Sequence, residues 1–321
     1  MFDYHFDLLM YILIYNEQKN IKKVKEYCEK IFKKDNITGG IFNLFYSGFD
    51  AMKEELSLDS IDMVDPVKDL KLVNDIIQEY ELIPPDIKYI VGIEGLDYLK
   101  NIDDIEELYK LGLRSTNLVW NNQNKFGGGI KAPKEVGLTD LGRDLIKKIV
   151  QTNIAIDLSH ANEKTFYGII EECRKLKEQG YSPIIHASHS NSKAICNVPR
   201  NLTDDQIEII AKEFNGTIGI VEYTAFVKTR EDDSEFKQEE YEQYYLNHIN
   251  HFRQLLGSVD NMAVSTDDMS LHFKNGDKPP IYRHEKVAEG IRSLLQSNGY
   301  SMEEIEKILH KNFEEKILAR L

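Results

Sequence analysis

The sequence predicts an α/β chain of 321 residues folded as one (β/α)8 TIM barrel, with extra helices as cover. Three observations predict this. Short β-like runs alternate with longer amphipathic stretches, the mark of βα units. Eight such runs can be counted, the number that a barrel of this kind needs. No convincing boundary divides the chain, so residues 1–321 read as a single domain, at a length such barrels reach. A doubly wound open sheet is the alternative architecture.

In order, the first strand is expected at Phe2–Leu9 and a helix over Glu17–Lys34. A second strand at Gly39–Tyr46 precedes a helical stretch at Asp59–Tyr80 that reads as extra cover. The third strand, Ile87–Ile93, leads to a helix over Asp103–Leu111, and the fourth, Leu113–Val119, to one over Thr139–Gln151. Thr139 stands before Asp140 as a capping residue would. The fifth strand, Ile154–Leu158, is followed by a helix at Glu163–Glu178, and the sixth, Pro183–His189, by one at Thr203–Phe214, with Thr203 capping before Asp204. Thr217–Tyr223 and Met262–Thr266 complete the strands, with a helix at Glu239–Leu256 between them. Glu285–Ser297 and the C-terminus add further helical cover.

The composition excludes several function classes. Forty Lys+Arg against 54 Asp+Glu give a net charge of −14. Nucleic acid and anionic membranes need clustered Lys and Arg, so neither is an expected partner. A 41% hydrophobic and 29% charged chain is not a disordered one. Cys28, Cys173 and Cys196 are scattered and odd in number, offering no disulfide framework or CxxC knuckle, and read as reduced thiols. The apolar run Leu8–Tyr15 is too short to span a bilayer, and Asp3 and Asp7 precede it where a signal peptide would be basic. Met1 directly precedes the expected first strand, so no secretory leader is expected, and the C-terminal residues are not expected to form an anchor tail. The expectation is a soluble, cytoplasmic protein.

Strand ends carry the chemistry of such a barrel, and ligand-type residues fall there. Asp3, His5 and Asp7 alternate onto one face of the first strand, where His and a carboxylate two apart can share a metal ion; an exposed polar edge is the plainer reading. Glu94 ends the third strand before Gly95, and an acid there is costly to bury unless it meets a cation; a turn carboxylate is the alternative. The fifth strand ends in Asp157-Leu158-Ser159-His160 and the sixth in His186-Ala187-Ser188-His189. Two adjacent strands ending in histidine are the more specific signal, because imidazole is the commonest side-chain ligand of zinc and its neighbours. One of His186 and His189 is expected to ligate, and His189 is favoured by its place at the strand end. Asp267 ends the last strand, where an acid could orient or protonate a substrate; Asp268 fits a cap or turn better. His248 and His251, three apart in a helical stretch, read as packing or solvated groups, Gly127-Gly128-Gly129 as a flexible loop, and Arg230–Asp233 as a solvated face.

Together these residues resemble the membrane dipeptidase (renal dipeptidase) family of zinc peptidases, within the amidohydrolase superfamily. The resemblance runs through Asp3–Asp7, Ile93-Glu94-Gly95, Leu108–Asn124, Gly137-Leu138-Thr139, Ile156–His160, Ser188–Asn191, Pro199–Asp204 and the closing Lys307–Phe313. It implies a closed barrel of the metal-dependent hydrolase type holding two zinc ions. By that resemblance His5 and Asp7 hold one metal, His160 and His189 the other, and Glu94 bridges them. Manganese or cobalt also suits such donors. Asp267, if Ser265-Thr266-Asp267 aligns on the family's Gly-Ser-Asp, holds the substrate ammonium and shuttles a proton, with Asp268 as its rival. Arg200 matches the residue that receives the dipeptide's C-terminal carboxylate, and Tyr223 a substrate-pocket tyrosine.

Two departures stand out. Trp120 occupies the position where renal-type members carry a histidine that contacts the scissile carbonyl. Asp267-Asp268-Met269-Ser270 replaces the usual Asp-Phe-Asp-Gly, so the second aspartate is lost. The implied activity is hydrolysis of small dipeptides through a metal-bridging hydroxide. A related amidohydrolase acting on another small amide, such as an N-acyl amino acid or a biosynthetic intermediate, is the alternative. A non-catalytic protein on a decayed barrel is a third reading, opposed by the presence of all five expected ligands. A homodimer is common in the family.

Overall fold

The computed structural model describes residues 1–17, 19–46, 65–229, 237–267 and 287–321. Strand and helix alternate through them as follows: β1 Phe2–Phe6, α1 Leu8–Glu17, α2 Ile21–Glu29, β2 Gly39–Phe45, α3 Pro66–Tyr80, β3 Lys88–Glu94, α4 Asp104–Lys110 and β4 Leu113–Asn117. Then come α5 Asp140–Gln151, β5 Ala155–Asp157, α6 Glu163–Glu178, β6 Ile185–His186, α7 Asp204–Glu208, β7 Ile218–Val221 and α8 Thr224–Val227. The last are α9 Gln238–Leu256, β8 Met262–Ser265, α10 Val287–Ser297, α11 Met302–Glu306 and α12 Asn312–Lys316. Each of the eight expected strands has its counterpart. β1, β2, β5, β7 and β8 are buried at every residue, as strands covered on both faces are.

The caps formed where the sequence placed them. The Thr139 side chain accepts from the Gly142 N–H, and Thr203 makes a reciprocal capping box with Gln206. One expectation is corrected. The first strand ends at Phe6, and Leu8 and Leu9 open α1 instead. The run Leu8–Tyr15 is apolar at nearly every position, so no period of 2 or 3.6 shows in it, and period is what separates a strand from a buried helix. The N-terminal parts of the expected stretches 59–80 and 285–297, the 230–233 run, and Asp268, Met269 and Ser270 lie outside the described residues.

The described residues fall into two compact units. The first comprises Met1–Phe6, Glu29–Gly40 and His186–Arg320; the second comprises Asp7–Cys28, Ile41–Ile185 and Leu321. In the first unit β7 and β8 pair in parallel from Ile218↔Met262 to Val221↔Ser265, and Ala187 bridges to Ile218 in parallel. β1 runs beside β8: Asp3 Oδ1 accepts from the Thr266 N–H at 2.9 Å, and the Asp267 N–H donates to the His5 carbonyl at 3.1 Å. In the second unit β3 pairs in parallel with β4, and β4 with β5. β2 approaches β3 so closely that a Cβ on Gly92 would sit 1.8 Å from Asn43 Oδ1, which is why glycine stands there.

Candidate functional site

Each unit gathers ligand-type residues at its strand ends. In the first unit His5, on β1, and His189, just past β6, are both 1% exposed, and their rings lie 3.9 Å apart between centroids. The Ser188 hydroxyl stands between them, 2.9 Å from His5 Nδ1 and 2.7 Å from His189 Nδ1. Asp267, at the end of β8, brings Oδ1 to 4.0 Å from His5 Nε2. Its backbone is left-handed, with φ 48°, a conformation that L residues other than Asn and Asp seldom adopt.

Arg200 is buried behind His189. Its guanidinium donates to the His189 carbonyl at 3.1 Å and lies over the Phe226 ring, 5.1 Å from the centroid. Phe226 in turn packs on Tyr223, with ring centroids 4.6 Å apart. Burial pushes the Tyr223 phenol above its usual range, and the nearby charge of Asp267 adds to the effect. So the first unit brings together His5, His189, Asp267, Arg200 and Tyr223, with Phe226 as a member that the sequence reading missed.

In the second unit Glu94 ends β3 and His160 follows β5, with Glu94 Oε1 2.7 Å from His160 Nε2. His160, three residues past the end of β5, has a left-handed backbone, φ 69°. Its Nδ1 lies 2.9 Å from the Asn121 side-chain oxygen Oδ1, so that nitrogen carries the hydrogen and Nε2 is left with a lone pair. A lone pair and a carboxylate oxygen that close repel unless a positive centre joins them, either a second hydrogen on the ring or a metal ion drawing both. Imidazole and carboxylate so placed fit a zinc-type cation.

Asn117 holds this arrangement in register. Its Oδ1 accepts from the Gly95 N–H at 2.9 Å, next to Glu94, and its amide donates to the Val119 carbonyl at 3.0 Å. Trp120 packs edge-on against Phe45 at 5.2 Å and tilted on His160 at 5.7 Å between centroids. Asp7 is buried at the foot of α1, where its carbonyl accepts from the Tyr11 N–H.

The expected flexible glycine loop is corrected. A Cβ on Gly129 would stand 1.7 Å from the Trp120 carbonyl oxygen, and Gly129 bridges to Ala161. These glycines permit close backbone packing that fixes Trp120 and Asn121. Neither Asn117 nor Asn121 was legible as a site residue, because an asparagine near a strand end is common and only its partners give it a role.

His248 and His251 are structural, as expected. His248 is fully buried; its Nδ1 accepts from the Ser192 N–H at 3.1 Å and its Nε2 donates to the Val227 carbonyl at 2.9 Å. Burial lowers its pKa to about 4. His251 pairs with Asp204 at 2.7 Å.

Residues 1–317 match the family model described as membrane dipeptidase, peptidase family M19. A Klebsiella pneumoniae protein encoded in the pqqA 5′ region is 29% identical over 238 residues, 71% of this chain and 79% of that protein. An uncharacterized dipeptidase of Schizosaccharomyces pombe is 26% identical over 192 residues, 59% of this chain but only 43% of its own length. Among solved structures, a family M19 metallopeptidase called dipeptidase AC superposes with a TM-score of 0.71 at 22% identity, covering 98% of each chain. A Rhodobacter sphaeroides metallopeptidase, solved with a phosphinate mimic of L-Ala-D-Ala, gives a TM-score of 0.72 at 20% identity, covering 100% of this chain and 99% of its own. At these identities the likeness establishes the fold, the expected (β/α)8 class.

Proposed function

The chain belongs to the membrane dipeptidase family, a family of metal-dependent peptidases whose model spans residues 1–317, and from that premise we propose a dinuclear zinc enzyme that hydrolyses the peptide bond of small dipeptides. Membership makes it a metallo-dipeptidase; the zinc pair, the residue roles and the substrate are the proposal. His5 and Asp7 would hold one ion, His160 and His189 the other, with Glu94 shared between them. The observation that carries this reading is the pair Glu94–His160, buried and 2.7 Å apart with Nδ1 of the ring already engaged by Asn121. The paired imidazoles of His5 and His189 support it from the first unit. When bound, such an ion pair supplies an activated water nucleophile and polarises the scissile carbonyl.

The chain's own groups would do the rest. Asp267 would receive the substrate ammonium and would carry a proton from the attacking water to the leaving amine. Arg200 docks the free carboxylate in a bidentate contact, and its burial strengthens that pairing. Tyr223 lines the pocket between them. These ends measure the ligand as one cation, one anion and one peptide bond between. The dipeptide mimic bound by the R. sphaeroides relative supports this substrate class. We take residues 1–321 as one catalytic domain. Three buried thiols, none in a disulfide, suit the cytoplasm.

Trp120, packed on His160 at the position matched to the histidine of renal-type members, favours one second reading: an amidohydrolase for another small amide, such as an N-acyl amino acid. The test has two arms. Metal analysis of the purified protein is expected to give close to two zinc ions per chain, and one or none would end the dinuclear reading. A screen of dipeptides against N-acyl amino acids is expected to favour dipeptides; the reverse preference would select the second reading.

A further inference from the structure

We propose that Ser188 is a positioning residue that serves both metal positions at once, by accepting a hydrogen bond from Nδ1 of His5 and from Nδ1 of His189. The proposal rests on the dinuclear reading above. Its basis is a count of hydrogens. The Ser188 oxygen lies 2.9 Å from one Nδ1 and 2.7 Å from the other. A hydroxyl has one hydrogen and two lone pairs, and a neutral imidazole carries its hydrogen on one nitrogen only.

If Ser188 donated to either ring, that ring's hydrogen would sit on Nε2, and Nε2 would have no lone pair to give a metal. Both rings can ligate through Nε2 only if both donate from Nδ1 into the two lone pairs of Ser188. The serine is held for this task. It is 1% exposed, the Gly219 N–H donates to the Ala187 carbonyl at 2.8 Å, and the Ser190 N–H donates to the Gly219 carbonyl at 2.9 Å. A Cβ on Gly219 would stand 2.0 Å from the Ser188 carbonyl oxygen, so β7 clamps the serine backbone as tightly as a glycine allows. His5 and His189 are assigned to different ions, so one hydroxyl sets the donor atom of a ligand to each.

The test is zinc titration of metal-free protein against a competing chelator, for wild type, Ser188→Ala and Ser188→Thr, with the melting temperature of each metal-free form. Loss of an outer partner of a metal-bound histidine typically costs about 10–100-fold in metal affinity. Ser188→Ala is expected to weaken both binding steps by that factor while the metal-free form melts as wild type does, and Ser188→Thr to restore both. Two unchanged steps, or one weakened and one unchanged, would overturn the proposal while leaving the dinuclear reading in place. A wild type that does not take up two ions would overturn both. Should Ser188→Ala fail to fold, imidazole nitrogen NMR of the zinc-loaded wild type decides: both rings are expected to carry hydrogen on Nδ1, and a bare Nδ1 on either ring refutes the shared acceptor.

Discussion

At the scale of single residues, the backbone angle of Asp267 separates its chemistry from its fold. A left-handed φ of 48° is tolerated by aspartate and asparagine better than by other non-glycine residues. Asp267→Asn therefore keeps the turn and removes the charge. The expected result is an unchanged melting temperature and a kcat lower by about 10²–10⁴-fold, the usual worth of a positioned proton carrier. Full activity in Asp267→Asn, with loss in Asp268→Asn instead, would move the role one residue along. Trp120 poses a second question. Its ring packs between Phe45 and His160, which suits an apolar wall. Trp120→Phe keeps most of that bulk and removes the indole N–H, so kcat is expected to change little; a drop of about 10²–10³-fold would mean that the N–H stabilises the oxyanion. Glu94, His160 and Asp267 were legible because an ionisable group ending an apolar strand is costly without a function. Ser188 and Asn121 were not, since small polar residues are common there and their meaning lies in partners distant in sequence.

At the scale of elements, alternation and caps gave the order of strands and helices, while uniformly apolar stretches gave type poorly. α6 matches its expected Glu163–Glu178 span residue for residue, because charged and apolar positions alternate around it with helical period. β6 is shorter than the expected Pro183–His189: it spans Ile185–His186, beyond which Ala187 is joined to Ile218 by an isolated bridge and the Ser190 N–H donates to the Gly219 carbonyl. α9 shows how a helix is tied down by one imidazole. His248 joins it to the Ser192 N–H and the Val227 carbonyl, and this geometry needs the neutral ring with hydrogen on Nε2. Its folded pKa of about 4 lies below the ordinary 6.5. The stabilisation is therefore complete above pH 6.5 and is lost as pH falls from there through 4, at about 1.4 kcal/mol per pKa unit, or roughly 3 kcal/mol in all. Urea midpoints at pH 7.5, 5.5 and 4.5 check this. Wild type is expected to lose stability over that window more steeply than His248→Gln, and parallel curves would remove His248 as the cause.

At the scale of the whole molecule, the family model covers nearly the entire sequence, and the proposed ligands are drawn from positions as far apart as 5 and 189. A denatured chain cannot offer such dispersed donors together, so zinc should bind the folded form almost exclusively, and binding free energy then appears as folding free energy. A ligand at a thousand times its dissociation constant adds about 4 kcal/mol of stability per site. For a chain of this length that corresponds to a rise in melting temperature on the order of 10 °C. Chelator-treated protein is accordingly expected to melt well below the zinc-loaded form and to regain the difference when zinc is restored, in step with the return of dipeptide hydrolysis. The two recoveries should follow one titration curve, because the same donors serve both. Recovery of stability at one equivalent of zinc, with activity appearing only at the second, would show that the first ion is structural and that the two positions differ in role. A melting temperature indifferent to zinc, in protein that nevertheless hydrolyses dipeptides, would show that the ligands are not drawn together by the metal and would exclude this account of how the site is held.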